Sequence, residues 1–174
     1  MRTMLISDHY REQNALLHKK MSKFGSNGWK AGDKIRSLAT KYAATSVLDY
    51  GSGKGTLKEY LAGKKSPLVV YQYDPGMNID ERQVCDIVLC RDVLEHIEPE
   101  CLDEVIQDLH RLTAKVMYAV IATSKSGDAL PDGRNAHLII QPGHWWEKKL
   151  STYFDFSKCS QDEKKKAIFE VTPR

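Results

Sequence analysis

The sequence predicts an α/β fold with a mostly parallel sheet closed by a C-terminal antiparallel pair, and three observations carry that prediction. A short apolar run, Val47-Leu48-Asp49-Tyr50, breaks into the alternating glycines of Gly51-Ser52-Gly53-Lys54-Gly55 and then into a helical pattern. Further apolar runs at 68–73, 86–91 and 114–122 are separated by helical or turn chemistry, which is the alternation of a parallel sheet. Two β-prone runs, 153–156 and 167–171, flank a charged loop near the C-terminus and read as the antiparallel pair.

Each element has its own signal. Ser7-Asp8 opens a helix whose apolar positions Leu16, Leu17 and Met21 recur at helical spacing, ending near Gly25. Phe24-Gly25-Ser26-Asn27-Gly28-Trp29 is turn chemistry with an aromatic on each side, a loop expected to contribute to the site. A second helix covers 31–44, with Ile35, Leu38, Ala39 and Tyr42 on one face, and leads into the first strand. After the glycines, Leu57, Tyr60 and Leu61 mark a short helix that stops at Gly63. The strand at 68–73 ends in the turn Asp74-Pro75-Gly76. The interval 76–85 is too short for a crossover helix and a further parallel strand, so the third strand is either missing or a stub around Ile79.

Beyond the strand at 86–91 lies Asp92-Val93-Leu94-Glu95-His96-Ile97-Glu98-Pro99. From Pro99 a helix carries Leu102, Val105, Ile106 and Leu109 at amphipathic spacing. After the strand at 114–122, residues 127–135 form a loop and 137–140 are short and extended. Pro142 sits where a first helical turn wants it, and Trp146, Leu150 and Tyr153 line one face of the helix that follows.

A chain of 174 residues is expected to form one domain, with helices over 1–44 covering a cofactor site and the core over 45–174. Lys and Arg exceed Asp and Glu by 26 to 23, a net charge of +3, and the basic residues are dispersed, which argues against a duplex nucleic acid partner. Lys64-Lys65 and Lys164-Lys165-Lys166 read as solvated turns flanking strands, with a polyanionic substrate as the other reading. Cys85, Cys90, Cys101 and Cys159 include no Cys-x-x-Cys pair, and reduced thiols are expected. No apolar run reaches signal or membrane-spanning length, so the expected location is the cytoplasm.

Glycines at alternate positions let the backbone turn sharply and let a ligand approach with no Cβ in the way. Phosphate sites use such turns, but Asp49, two residues before Gly51, would repel a phosphate by like charge. A cationic ligand reverses the sign: the amino group and sulfonium of S-adenosylmethionine are attracted to Asp49. Asp74 closes the second strand, where a carboxylate is placed to accept both ribose hydroxyls; an Asp-Pro-Gly turn without ligand is the alternative. Gly53-Lys54-Gly55-Thr56 also mimics part of a P-loop, whose pattern wants glycine where Leu48 stands.

Taken in order, the segment from Val47 through Gly55, Tyr73-Asp74-Pro75 and Asp92-Val93-Leu94-Glu95-His96-Ile97 resemble the class I S-adenosylmethionine-dependent methyltransferases. Leu130-Pro131-Asp132-Gly133-Arg134-Asn135-Ala136-His137 with Trp145-Trp146 is similar to small methyltransferases encoded by bacteriophages, for which the location would be the host cytoplasm. The resemblance covers residues 25–174 and implies a Rossmann-like fold with S-adenosylmethionine as cofactor. It implies a cofactor site built from Asp49, Tyr50, Gly51, Ser52, Gly53, Gly55, Tyr73, Asp74, Pro75, Arg91 and Asp92. Two features depart from the family. The acidic residue that often binds the adenine amino group has no counterpart, which leaves residues 77–80 for adenine. No Asn-Pro-Pro-Tyr or Asp-Pro-Pro-Tyr follows the fourth strand, which argues against amino-methylation of a DNA base.

Methyl transfer needs a nucleophile held about 3 Å from the methyl carbon, and a base where that nucleophile carries a proton. In the family the segment after the fourth strand faces the methyl group, which brings forward Asp92, Glu95 and His96, with His137 from a later loop, as catalytic residues. This arrangement resembles the E-x-x-E-H site of small-RNA 2′-O-methyltransferases and ubiquinone-pathway O-methyltransferases, and so implies a divalent Mg, Mn or Zn ion. The alternative is a Glu-His-Ile segment that ties strand end to helix without metal. His18 and His110 read as surface or packing residues, and His144 and Trp145 as pocket or core residues. Arg91 and Arg134 are candidates to neutralise an anionic substrate or to form structural ion pairs. The expected function is methylation of a small molecule or of a nucleotide or RNA hydroxyl. The alternatives are a non-catalytic S-adenosylmethionine-binding or partner-binding protein, and a P-loop nucleotide kinase.

Overall fold

The computed structural model describes residues 5–162 and 165–174. Expectations that touch residues 1–4 and Lys164 lie outside the described residues. In chain order the elements are α1 (Asp8–Lys20), α2 (Gly32–Lys41), β1 (Ser46–Tyr50), α3 (Thr56–Gly63), β2 (Val69–Asp74), β3 (Ile79–Asp80), β4 (Cys85–Arg91), α4 (Leu102–Leu112), β5 (Thr113–Ala122), α5 (Gly143–Leu150), β6 (Phe154–Asp162) and β7 (Lys166–Pro173). The strands form one sheet in the order β3-β2-β1-β4-β5-β7-β6. β2, β1, β4 and β5 run parallel, and β7 lies antiparallel between β5 and β6.

The third strand is the stub that the short interval predicted. β3 has two residues and pairs antiparallel with the end of β2, because the chain folds straight back through a 3-10 turn at Pro75–Met77 and has no length for a crossover. Other boundaries need correction. α1 stops at Lys20, before Gly25, where Met21 adopts an extended conformation. The helix expected at 31–44 is α-helical only over Gly32–Lys41, and a 3-10 turn at Gly28–Ala31 takes Trp29 out of the predicted loop. Pro142 stands before the first turn of α5, extended at φ −70° and ψ 160°. Residues 137–140 join no strand, and Tyr153 lies beyond the helix whose face it was expected to share.

Both faces of the sheet's centre are buried, which is why β1, β4 and β5 read as nearly continuous apolar runs. On one face, Val105, Ile106 and Leu109 of α4 with Trp146 and Leu150 of α5 pack against Val88, Met117 and Phe169. On the other, Ile35 and Leu38 of α2 with Leu57 and Leu61 of α3 cover Val47, Ile87, Leu89 and Val116. Lys34 and Lys41 add a polar tie from α2 to Glu170 of β7, at 2.8 and 2.5 Å. A smaller cluster joins Tyr10 and Leu17 of α1 to Leu130 and Ala136, so α1 lies across the loops at the strand ends. The four cysteines are free thiols, as expected. Among the described residues no helix is long and apolar enough to cross a membrane.

Candidate cofactor and acceptor site

The C-terminal ends of the parallel strands open into a cavity of about 640 Å³, within the range of small-molecule sites. Tyr10, Asn14 and His18 of α1 and the loop 21–28 line one side, and residues 124–128 with His137 line the other. At its base the glycine turn is moored on β2, since the N–H groups of Gly51 and Ser52 both donate to the Tyr73 carbonyl at 2.7 and 3.0 Å. Gly51, Gly53 and Gly55 all have left-handed φ, at 81°, 51° and 72°. At Gly51 a Cβ would meet Val93 Cγ2 at 2.3 Å.

Lys54 fixes the loop after α1 onto this turn. Its N–H donates to the Gly25 carbonyl at 2.9 Å, and its Nζ donates to the carbonyls of Met21, Ser22 and Phe24 at 2.7, 2.6 and 2.9 Å. Those three carbonyls occupy the ammonium that a P-loop would aim at phosphate, so the turn lacks the cation on which the kinase reading depends.

Two carboxylates border the turn. Asp49 is 3% exposed, and its Oδ2 has no hydrogen-bond partner among the described residues. Burial, and then the nearby charge of Asp74, push its carboxyl up to about 7. Asp74 Oδ2 accepts from Gly53 N at 2.8 Å, while Oδ1 accepts from Gly76 N and Met77 N at 2.9 and 3.1 Å. His18 Nε2 lies 3.9 Å from Asp74 Oδ2. Sequence reasoning assigned His18 to surface or packing, yet it is buried on the cavity wall. The available signal was the spacing of Tyr10, Asn14 and His18, four residues apart on one stripe of α1.

A second group gathers after β4. Glu95 is fully buried: Oε1 accepts from Ala122 N at 2.8 Å and Oε2 has no partner among the described residues. Burial, then the charge of Asp92, raise its carboxyl to about 8. His96 meets His137 edge to face at 4.8 Å, and burial followed by the His137 charge lowers it to about 4. His137 Nδ1 lies 2.5 Å from the Ser124 carbonyl, an acceptor, so this nitrogen carries a proton. One potential ligand atom from each of Glu95, His96 and His137 lies within 4.8 Å of the others. Edge-to-face contacts continue from His96 to Phe24 and from Phe24 to His18, linking this group to the glycine turn.

Asp92 lines the same cavity and its charge reaches Glu95, but it adds no ligand atom to that cluster. Its φ is +54°, its N–H donates to the Val120 carbonyl, and its carboxylate is engaged by Lys166 Nζ at 2.7 Å and faced by Arg91 Nε at 3.5 Å. The structure therefore brings together three of the four residues expected in the D-x-x-E-H arrangement with His137. Tyr50, Gly51, Ser52, Tyr73, Pro75 and Arg91 line the cavity, whereas Gly53 and Gly55 shape the turn behind its wall. Residues 77–80 lie outside the wall, and Met77 is 37% exposed, so the segment expected to meet adenine does not reach the cavity. Arg134 is tied to Asp132 at 2.7 Å and His144 is exposed on α5. Trp145 packs beside Trp146 against the core, and none of these three lines the cavity. His110 packs on Tyr153 and Phe154, the role expected of it.

Residues 9–155 match the family of methyltransferase domains. No curated protein matches the sequence. Solved structures of similar fold include the magnesium protoporphyrin IX methyltransferase of Synechocystis PCC 6803 with bound SAH, S-adenosylhomocysteine. It is 19% identical, covers 84% of this chain and 83% of that one, and has a TM-score of 0.59. The DhpI–SAH complex is 16% identical over 96% of this chain and 98% of that one, TM-score 0.59. The [4+2]-cyclase SpnF is 11% identical over 83% and 81%, also with a TM-score of 0.59. At these identities the likeness establishes the Rossmann-like fold and leaves the chemistry to the site. A match over most of the length, on a sheet of this order whose first strand ends in a glycine turn, makes the chain a member of the methyltransferase-domain family.

Proposed function

We propose that this protein transfers a methyl group from S-adenosylmethionine to a hydroxyl of a small molecule or nucleotide. The observation that carries this reading is Asp49, a buried carboxylate whose free oxygen borders a glycine turn at the cavity. Such a group stabilises a cationic ligand and destabilises a phosphate. In this reading the residues fit the cofactor. Asp49 Oδ2 receives its amino group, and Gly51 and Ser52 let its chain pass close to the backbone. Asp74 has less to offer than expected: with three N–H donors already on a group of about four acceptor sites, it has room for one ribose hydroxyl, not two.

When bound, S-adenosylmethionine supplies an electrophilic methyl group. The protein's own part is to hold the acceptor and move its proton. His137 Nε2 takes the hydroxyl proton, with Nδ1–H held on the Ser124 carbonyl so that the ring keeps this tautomer. His96, neutral and packed on the His137 ring, fixes its orientation, and α1 with the loop 21–28 walls one side of the site.

A second reading has a specific observation behind it. Glu95, His96 and His137 converge closely enough to hold a divalent ion on one carboxylate and two imidazoles, which would lower the pKa of a hydroxyl beside it. The bacteriophage subclass rests on the resemblance at Leu130 to His137 and Trp145-Trp146. Titration calorimetry with S-adenosylmethionine and ATP tests the cofactor, and methyl turnover on a metabolite panel separates an enzyme from a non-catalytic binder. Asp49→Ala and Gly51→Val are each expected to abolish S-adenosylmethionine binding; retained binding in both, or preference for ATP, would overturn the reading.

A further inference from the structure

The cavity has two electrical ends. Asp49 and Asp74 make the end at β1 and β2 acidic, which suits a sulfonium donor, whereas cations gather where β4 and β5 finish and β7 begins. From this polarity we infer that the methyl acceptor carries an anionic group, a carboxylate or a phosphate, seated by Arg91 and Lys166 with Lys125 and Lys165 at the rim. The inference rests on the methyltransferase reading and names the acceptor's chemical class.

Sheet register puts the two inner cations together. Arg91 pairs with Val120, and Val120 with Ile168; residues paired across a sheet share a face, and Lys166 is two residues from Ile168. Arg91 and Lys166 therefore project from the same face. Asp92 lies between them, with Lys166 Nζ at 2.7 Å from Oδ1 and Arg91 Nε at 3.5 Å from Oδ2. Two cations share one carboxylate, and Arg91 Nε is buried with no hydrogen-bond acceptor among the described residues. One carboxylate neutralises only one of the two cations, and an anion brought into the cavity by a ligand would offset the charge that remains. A guanidinium beside an ammonium suits the planar oxygens of a carboxylate or the oxygens of a phosphate.

The rim continues the same charge. Thr123 N donates to the Lys165 carbonyl at 2.9 Å, which holds the turn before β7 against the exit of β5 and puts Lys125 and Lys165 on one edge of the mouth. Both are exposed. These cations converge on a cavity and do not spread over a face, which favours a small anion over a duplex backbone.

Calorimetric titration of the SAH-saturated protein with benzoate, phenyl phosphate and the neutral benzamide tests the seat. At least one anion is expected to bind about tenfold or more tightly than benzamide, the tighter one identifying carboxylate or phosphate as the natural group, and to weaken as salt is raised. Arg91→Gln should weaken the anion about tenfold, and the double variant Lys125→Gln/Lys165→Gln roughly threefold, with SAH affinity of the double variant unchanged. Failure of both anions to bind, benzamide binding as well as benzoate, or undiminished anion affinity in Arg91→Gln would each overturn the inference. If SAH itself does not bind, the methyltransferase reading is what fails, and the same titrations without SAH still decide the seat.

Discussion

Gly25 and Gly53 meet backbone to backbone: a Cβ built on Gly53 would lie 2.3 Å from the Gly25 carbonyl oxygen and 2.7 Å from its Cα. The neighbour is main chain, so it cannot rotate away, and Gly53 also holds φ at 51°. Gly53→Ala should therefore cost about 2 kcal/mol or more of stability in urea denaturation, and should lift the loop 21–28 from the turn. Gly127→Ala is the control. It has no atom within 4 Å of an added Cβ, and its stability should stay within about 0.5 kcal/mol of the parent.

Lys54 predicts a kinetic effect. Its ammonium serves three carbonyls of the loop that roofs the cavity, while the start of α1 is held separately, with Ser7 N and Oγ both donating to Glu98 at 2.7 Å. Lys54→Met should free the end of the roof nearest the glycine turn and leave the Glu98 end attached. Stopped-flow measurement should then find SAH release accelerated about tenfold, with a stability loss of about 1–3 kcal/mol. Unchanged release would mean that the roof does not gate the site.

Asp49 makes the cofactor step pH-dependent. The folded protein keeps its proton up to about pH 7, whereas the unfolded chain releases it near 3.8. Between these values the folded state binds more protons, so this group's contribution to stability falls as pH rises and levels off above 7. A cationic ligand needs the ionised carboxylate, so affinity for S-adenosylmethionine should climb by up to about tenfold per pH unit below 7 and flatten above it. Asp49→Asn should remove both trends and weaken binding about tenfold or more. Affinity that ignores pH between 5.5 and 8.5 would show that Asp49 does not face the cation, a range that brackets the raised value of about 7.

What was legible in the sequence was local. The sharp turn at three left-handed glycines is set by backbone sterics, and the structure has that turn with the carboxylate of Asp49 buried before it. The stub at Ile79 followed from chain length alone. What was not legible depends on docking between distant segments. His18 and Phe24 become cavity residues only because α1 and its loop fold over the glycine turn, and Lys54 becomes a clamp for the same reason. Asp92 and Glu95, three apart in sequence, looked like one ligand set. The left-handed φ of Asp92 and the reach of Lys166 from β7 turn its carboxylate elsewhere.

Glu95 separates the two accounts of the second group. Its Oε1 holds the Ala122 N–H at the end of β5 and its Oε2 is unpartnered among the described residues, so the residue has both a structural bond and a free ligand atom. Glu95→Ala leaves a buried N–H without an acceptor in either account and should cost about 1–3 kcal/mol in thermal or urea denaturation. Glu95→Gln keeps a carbonyl oxygen for that N–H and gives up the carboxylate. If the residue ties strand end to helix, Glu95→Gln keeps the parent's stability and most of its methyl turnover, and a chelator leaves the parent's turnover unchanged; this is the expected outcome. Loss of turnover in Glu95→Gln, together with chelator inhibition reversed by Mg²⁺ or Mn²⁺, would instead establish Glu95, His96 and His137 as a metal site.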